Sequence, residues 1–204
     1  MNNLFIVITF ILLSGCASFP QHNTPLVEFD NRINDKIKET AYFDVNITYQ
    51  NDREILPLYG ELQKRIQLKF DESNTFSDSY LSAENKGIHF RFTYSNYANM
   101  AKVISASVIS GATLTLFPTF FTEHWLLNVK VYNGGELQYE SEYTDELRTW
   151  LHLSMVFSPL FKPVMDEPFS LLANMAAQSI IDYQLYLDTK SDNKNVSLES
   201  TPSR

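Results

Sequence analysis

The side chains able to do chemistry are few and far apart. The chain has one cysteine, Cys16, and four histidines, His22, His89, His124 and His152. A zinc-hydrolase pattern such as HExxH sets two imidazoles one helical turn apart, and no two of these histidines are so spaced. A thiol redox couple needs a second cysteine, a nucleophile elbow needs G-x-S-x-G, and a phosphate cradle needs a Gly-rich loop. None is present in a chain with six glycines. Glu140, Glu142, Asp145 and Glu146 gather near the end of an expected hairpin. A glycosidase pair would need two carboxyls facing each other across a bond, whereas a solvated strand face and a helix N-terminus explain these four. Glu123-His124-Trp125 resembles an acid–imidazole couple in sequence, but neighbours on a strand point to opposite faces. The expectation is a chain with no catalytic residue, no metal site and no cofactor.

Cys16 is different because of what precedes it. Residues 4–13, "LFIVITFILL", are apolar apart from Thr9. That run is short of the roughly twenty residues needed to cross a bilayer and matches a signal-peptide h-region. Leu13-Ser14-Gly15-Cys16 then places a leucine three positions before the cysteine with small residues between them. This resembles the lipobox of bacterial lipoproteins, although "MNN" brings only the amino terminus as a positive n-region. The resemblance implies cleavage between Gly15 and Cys16, loss of the signal peptide 1–15, and acylation of the Cys16 thiol and new amino group, palmitate being an expected acyl chain. The other reading of the thiol is a free cysteine closing an ordinary signal peptide or anchor. Three acyl chains hold a protein on a leaflet almost permanently, at about 0.8 kcal/mol per buried methylene. Ala17 and Ser18 follow the cysteine, not an inner-membrane-retaining Asp. The resemblance therefore points to the cell envelope, and to the periplasmic face of the outer membrane rather than the inner membrane.

Composition bounds the rest. A length of 204 residues, 44% hydrophobic and 20% charged, describes one ordinary domain with a real core. The net charge of −8 argues against nucleic acid, which needs clustered Lys and Arg. Residues 16–25 hold the acylated cysteine and a Pro-containing segment that reads as a tether, 26–187 read as the folded body, and 188–204 read as a disordered polar tail.

Within the body, residues 42–49 alternate, with Phe43, Val45, Ile47 and Tyr49 on one face, as a half-buried strand does. Residues 57–70 place Leu58, Leu62, Ile66 and Phe70 at helical spacing. Residues 86–97 alternate again, with His89 and Arg91 on the face opposite Ile88, Phe90, Phe92 and Tyr94. Asn133-Gly134-Gly135 joins two strands as a hairpin, since these residues tolerate positive φ. From Pro168 to Leu187 an apolar stripe through Phe169, Leu172, Ala176, Ile180 and Tyr183 predicts a helix. Together these elements predict an α+β fold, a largely antiparallel sheet with helices packed on one face.

Two apolar stretches remain. Residues 103–121 carry no charge, and Ser107 with Gly111 forms a small-xxx-small pair suited to close helix packing. The preferred reading breaks this stretch at Gly111 into a buried helix and a strand. Residues 150–165 are also apolar and end near Pro159 and Pro163, as a short buried helix and loop or as a membrane-interface element. The run Ser110 to Pro118, a hairpin, and Thr149-Trp150 resemble a group of uncharacterised proteobacterial envelope lipoproteins over residues 100–165. That likeness brings no activity with it.

Three readings of function follow. The first is a membrane-anchored envelope lipoprotein acting as a non-catalytic accessory or protein-binding domain. Its partners would be the bilayer, through acylated Cys16, and an envelope protein met by the exposed hairpin face, where Tyr132, Tyr139 and Tyr143 could anchor it. The second is a lipid- or membrane-contacting protein using 103–121 and 150–165. The third is a cell-envelope enzyme without a recognisable motif.

Overall fold

A computed structural model describes residues 15–20, 24, 26–27, 29, 39–49, 53–54, 56–82, 87–98, 100–113, 119–152 and 167–199. The elements in chain order are β1 (Gly15–Pro20), β2 (Ala41–Tyr49), β3 (Arg53–Glu54), α1 (Leu56–Ser73), β4 (Ser79–Leu81), β5 (Ile88–Ala98), α2 (Met100–Ala112), β6 (Thr119–Asn133), β7 (Glu136–His152) and α3 (Glu167–Glu199).

The strands form one seven-stranded sheet in the order β1-β7-β6-β5-β2-β3, with β4 also on β2. Pairing is antiparallel from β1 through β5, while β2 runs parallel to β5 and β4. A parallel neighbour cannot be reached by a tight turn, and the chain makes the crossover through α1. The fold is α+β, with helices packing against a mixed, mostly antiparallel sheet.

Alternation along the strands decides which face is covered. Phe43, Val45 and Ile47 of β2, Ile88, Phe90, Phe92 and Tyr94 of β5, and Trp125, Leu127, Val129 and Val131 of β6 are all buried. They line up across the sheet by register, for example Val45–Phe92–Val129. α1 brings Leu62, Ile66 and Phe70 onto this inner face, spaced by one turn as an amphipathic helix requires. Phe70 lies 5.2 Å from both Phe43 and Phe90, stacked on the first and edge-on to the second. Removing a ring of this kind from water contributes about 1.5–3 kcal/mol. α3 completes the core with Leu172, Met175, Ala176, Ile180 and Tyr183, all buried. The Tyr94 hydroxyl donates to the Leu172 carbonyl at 2.8 Å, tying β5 to α3.

At the hairpin, Gly134 (φ 60°) and Gly135 (φ 88°) both take the left-handed backbone that a tight β-turn requires. α1 ends at Asn74, also left-handed at φ 50°, a residue that tolerates this C-terminal cap conformation.

Four expectations change. Residues 15–20, read as signal-peptide end and tether, form β1 against the edge of β7. Residues 188–199, read as disordered tail, continue α3. In 103–121 the helix runs through Gly111 to Ala112, residues 114–118 lie outside the described residues, and α2 is not buried: Ile104, Val108 and Ile109 are 57%, 63% and 50% exposed, and Ala106 alone among its described side chains is buried. A Cβ on Gly111 would meet nothing within 4 Å, so the small-residue pair serves no close packing. In 150–165, the first three residues end β7 as strand rather than helix, and 153–165 lie outside the described residues.

Candidate functional site at the end of the sheet that holds Cys16

β1 sits on the edge of the sheet, antiparallel to the side of β7 that faces away from β6. The register is Cys16 opposite Leu151, Ser18 opposite Thr149 and Pro20 opposite Leu147. A proline, which has no N–H to give a ladder, is tolerated on such an edge. Ser18 Oγ and Thr149 Oγ1 are 2.8 Å apart across the pair. The chain beyond β1 is also held. Asp145, 1% exposed, accepts from the Thr24 amide through Oδ2 at 3.1 Å and from the Glu146 amide through Oδ1 at 2.7 Å. Farther on, the Val27 amide donates to Asn174 Oδ1 of α3 at 2.8 Å. Gly15 and Cys16 thus start a segment that is fastened to the fold at several points. Leu13 and Ser14 lie outside the described residues.

The same end of the sheet carries α2. Leu151 pairs with Thr119, the first residue of β6, and Thr119 Oγ1 donates to the Ala106 carbonyl of α2 at 3.4 Å. Two strand spacings separate Cys16 from Thr119, about 10 Å. On the outer face nearby, Phe19 and Phe120 are 47% and 52% exposed, and the Arg148 guanidinium lies 5.4 Å from the centre of the Phe120 ring. This end therefore combines the cysteine, an uncovered apolar helix and two exposed phenylalanines.

The candidate catalytic residues are scattered among structural partners. Glu140 pairs with Lys130 at 3.2 Å. Glu142 is exposed, and Asp145 is the buried clamp on Thr24. Glu146 meets His124 at 3.2 Å, directly across the β6–β7 pair. Glu123, on the other face, is opposite Leu147. As alternation demanded, the carboxylate beside His124 in space is not its neighbour in sequence. With Tyr97, Leu126 and Thr144, this couple lines a shallow cleft of about 280 Å³ on the outer face. His89 is fully buried. Its Nε2 lies 3.0 Å from the Ser82 carbonyl and 3.4 Å from Asp44 Oδ2, so it secures the chain after β4 to the outer side of β5. His152 ends β7, and His22 lies outside the described residues. Among the described residues, no three His, Cys, Asp or Glu side chains are grouped to hold a metal ion. No helix among them is long and apolar enough to cross a membrane.

The tyrosines expected on the exposed hairpin face divide by strand and by register. Tyr132 is on the outer face, with the Arg91 guanidinium 5.4 Å from its ring centre. Tyr139 and Tyr143 face inward onto α3. Tyr143 donates to Asp182 Oδ2 at 2.7 Å, and the Tyr139 ring is 5.9 Å from Tyr183 and 5.6 Å from Tyr186. Burial, joined by its hydrogen bonds to Tyr139 and Asp182, pushes the Tyr143 hydroxyl well above the usual tyrosine range. Burial, then the charge of Glu39 and the neighbouring Tyr186, push Tyr183 up to about 12. Tyr139 and Tyr143 pack on α3.

No protein-family model and no curated protein sequence matches the chain. Among solved structures it is similar to a minor lipoprotein from Acinetobacter baumannii, at TM-score 0.38 and 12% identity over 72% of this chain and 90% of that one. It is also similar to the rare lipoprotein B from Shewanella oneidensis, at TM-score 0.33 and 16% identity over 71% of this chain and 98% of that one. A third is the PelC dodecamer from Paraburkholderia phytofirmans, at TM-score 0.26 and 7% identity over 78% of this chain and 97% of that one. At such scores the likeness carries no functional argument.

Proposed function

We propose that this is an envelope lipoprotein, anchored through acylated Cys16 on the periplasmic face of the outer membrane, which acts without catalysis by holding a protein partner. The observation that carries the reading is the Leu13-Ser14-Gly15-Cys16 sequence at the end of an apolar block of signal-peptide length. The fold is compatible with cleavage there, because β1 keeps its pairing from Cys16 through Pro20 when Gly15 is removed.

The binding reading is supported by the way the polar groups are used. Asp145, Glu140 and His89 each serve the fold through a named partner, and the His124–Glu146 couple is solvent-exposed. The outer sheet face, with Tyr97 and Leu137 at 57% and 50% exposed, is the surface offered to an envelope protein.

The test is Cys16→Ser in the native host, followed by membrane fractionation and crosslinking. The expected outcome is a larger, unlipidated precursor and loss of a specific crosslinked partner that the natural chain captures. Normal maturation and membrane attachment of the variant would overturn the anchor. A natural chain that crosslinks to no specific protein would overturn the accessory role.

A further inference from the structure

We infer that α2 is a membrane seat: its Ile104, Val108 and Ile109 face lies in the acyl region of the leaflet that holds the lipid on Cys16. The inference rests on the anchor reading above and deepens it by naming where the domain touches the bilayer.

Three observations carry it. First, there is no slack. A free ten-residue tether over 16–25 would let the domain float up to about 33 Å from the leaflet. Strand pairing that begins at Cys16 opposite Leu151 instead fixes the acylated residue at the edge of the sheet. Second, the end of the molecule so held is the end that bears α2, linked through Leu151, Thr119 and the Ala106 carbonyl. Third, that helix presents apolar side chains to the outside, at 57%, 63% and 50% exposure, and between Lys102 and Glu123 the chain has no charged residue to keep it in water. A group of exposed large apolar side chains on one short helix marks a contact with a partner or a membrane. Here the surface adjoins the point where three acyl chains would enter a leaflet, so the occupant is lipid. The helix lies on the membrane and does not span it, in keeping with its 13 residues. Phe19 and Phe120, on the outer face at the same end of the sheet, are also exposed, with the Arg148 guanidinium over the Phe120 ring.

The experiment uses the lipidated full-length protein in vesicles of phosphatidylethanolamine and phosphatidylglycerol. Acylation consumes the natural thiol, so Val108→Cys and, separately, Glu136→Cys at the hairpin end introduce a unique site for an environment-sensitive fluorophore. Mass spectrometry first establishes that Cys16 is acylated. If it is not, the anchor reading fails and takes the seat with it. With Cys16 acylated, the label at 108 should be quenched several-fold more by nitroxide carried on the lipid chains than by aqueous iodide, and the label at 136 should show the reverse. Quenching at 108 by iodide, as at 136, would overturn the seat while leaving the anchor standing. A label at 108 protected from both quenchers would assign the face to a protein, a second copy included, and would equally overturn it.

Discussion

Two helices of this molecule are both rich in apolar residues, yet they meet opposite surroundings. In α3, Leu172, Met175, Ala176, Ile180 and Tyr183 are within 3% of complete burial. In α2, Ile104, Val108 and Ile109 are at least half exposed. The difference is geometric. α3 lies across the inner face of the sheet, where Phe90 meets Tyr183 at 5.3 Å and Tyr94 bonds to Leu172. α2 crosses the end of the sheet, where Ala106 is the one buried side chain among those described. An apolar stripe says that a surface leaves water; what it meets depends on where the connections put the helix.

The sharpest way to break this contrast is to truncate one residue on each helix. Ile180→Ala opens a cavity in the core and should cost about 2–5 kcal/mol in denaturant unfolding. Val108→Ala should change stability by less than about 0.5 kcal/mol, as exposed helix positions do. Equal losses at the two sites would mean that α2 is packed against protein.

A smaller effect concerns pH. Tyr183 keeps its proton in the fold up to about 12, against an ordinary value of 10.0. The unfolded chain therefore releases that proton first as pH rises, and stability present below pH 10 is lost progressively between 10 and 12. Tyr183→Phe should make that alkaline decline shallower in a series of melting temperatures, leaving the share that the raised Tyr143 contributes; a decline equally steep in the variant would remove Tyr183 as one of its causes. The smallest effect belongs to the exposed His124–Glu146 couple. Glu146→Gln should leave stability within about 0.5 kcal/mol at neutral pH, and a loss several times larger would show that the outer-face cleft is structurally essential.

Much of the sheet and both core helices were legible because each rests on local pattern. Alternation marked β2 and β5, Asn133-Gly134-Gly135 marked the β6–β7 turn, and the stripe through Ile180 and Tyr183 marked α3. The edge strand β1 was not, because Pro20 at its end and Pro25 beyond it read locally as a tether. Its partner β7 lies more than 120 residues away, as the Ser18–Thr149 pair shows. Tyr139 and Tyr143 face α3 rather than solvent, which the sequence does not show for a similar reason: alternation groups them together but does not say which side α3 covers. At the candidate site, the expectation that Cys16 is acylated rests on four residues and their apolar prelude. The nearness of α2 to Cys16 was not legible, since it depends on Thr119 standing two strands from Cys16.

The most direct test of the anchor is the mass of the N-terminal peptide of the mature protein, isolated from membranes of its native host. A peptide beginning at Cys16 and carrying a diacylglyceryl group and an amide-linked acyl chain is the expected result. A free Cys16 thiol, or a mature chain that still contains Leu13-Ser14-Gly15, would contradict it.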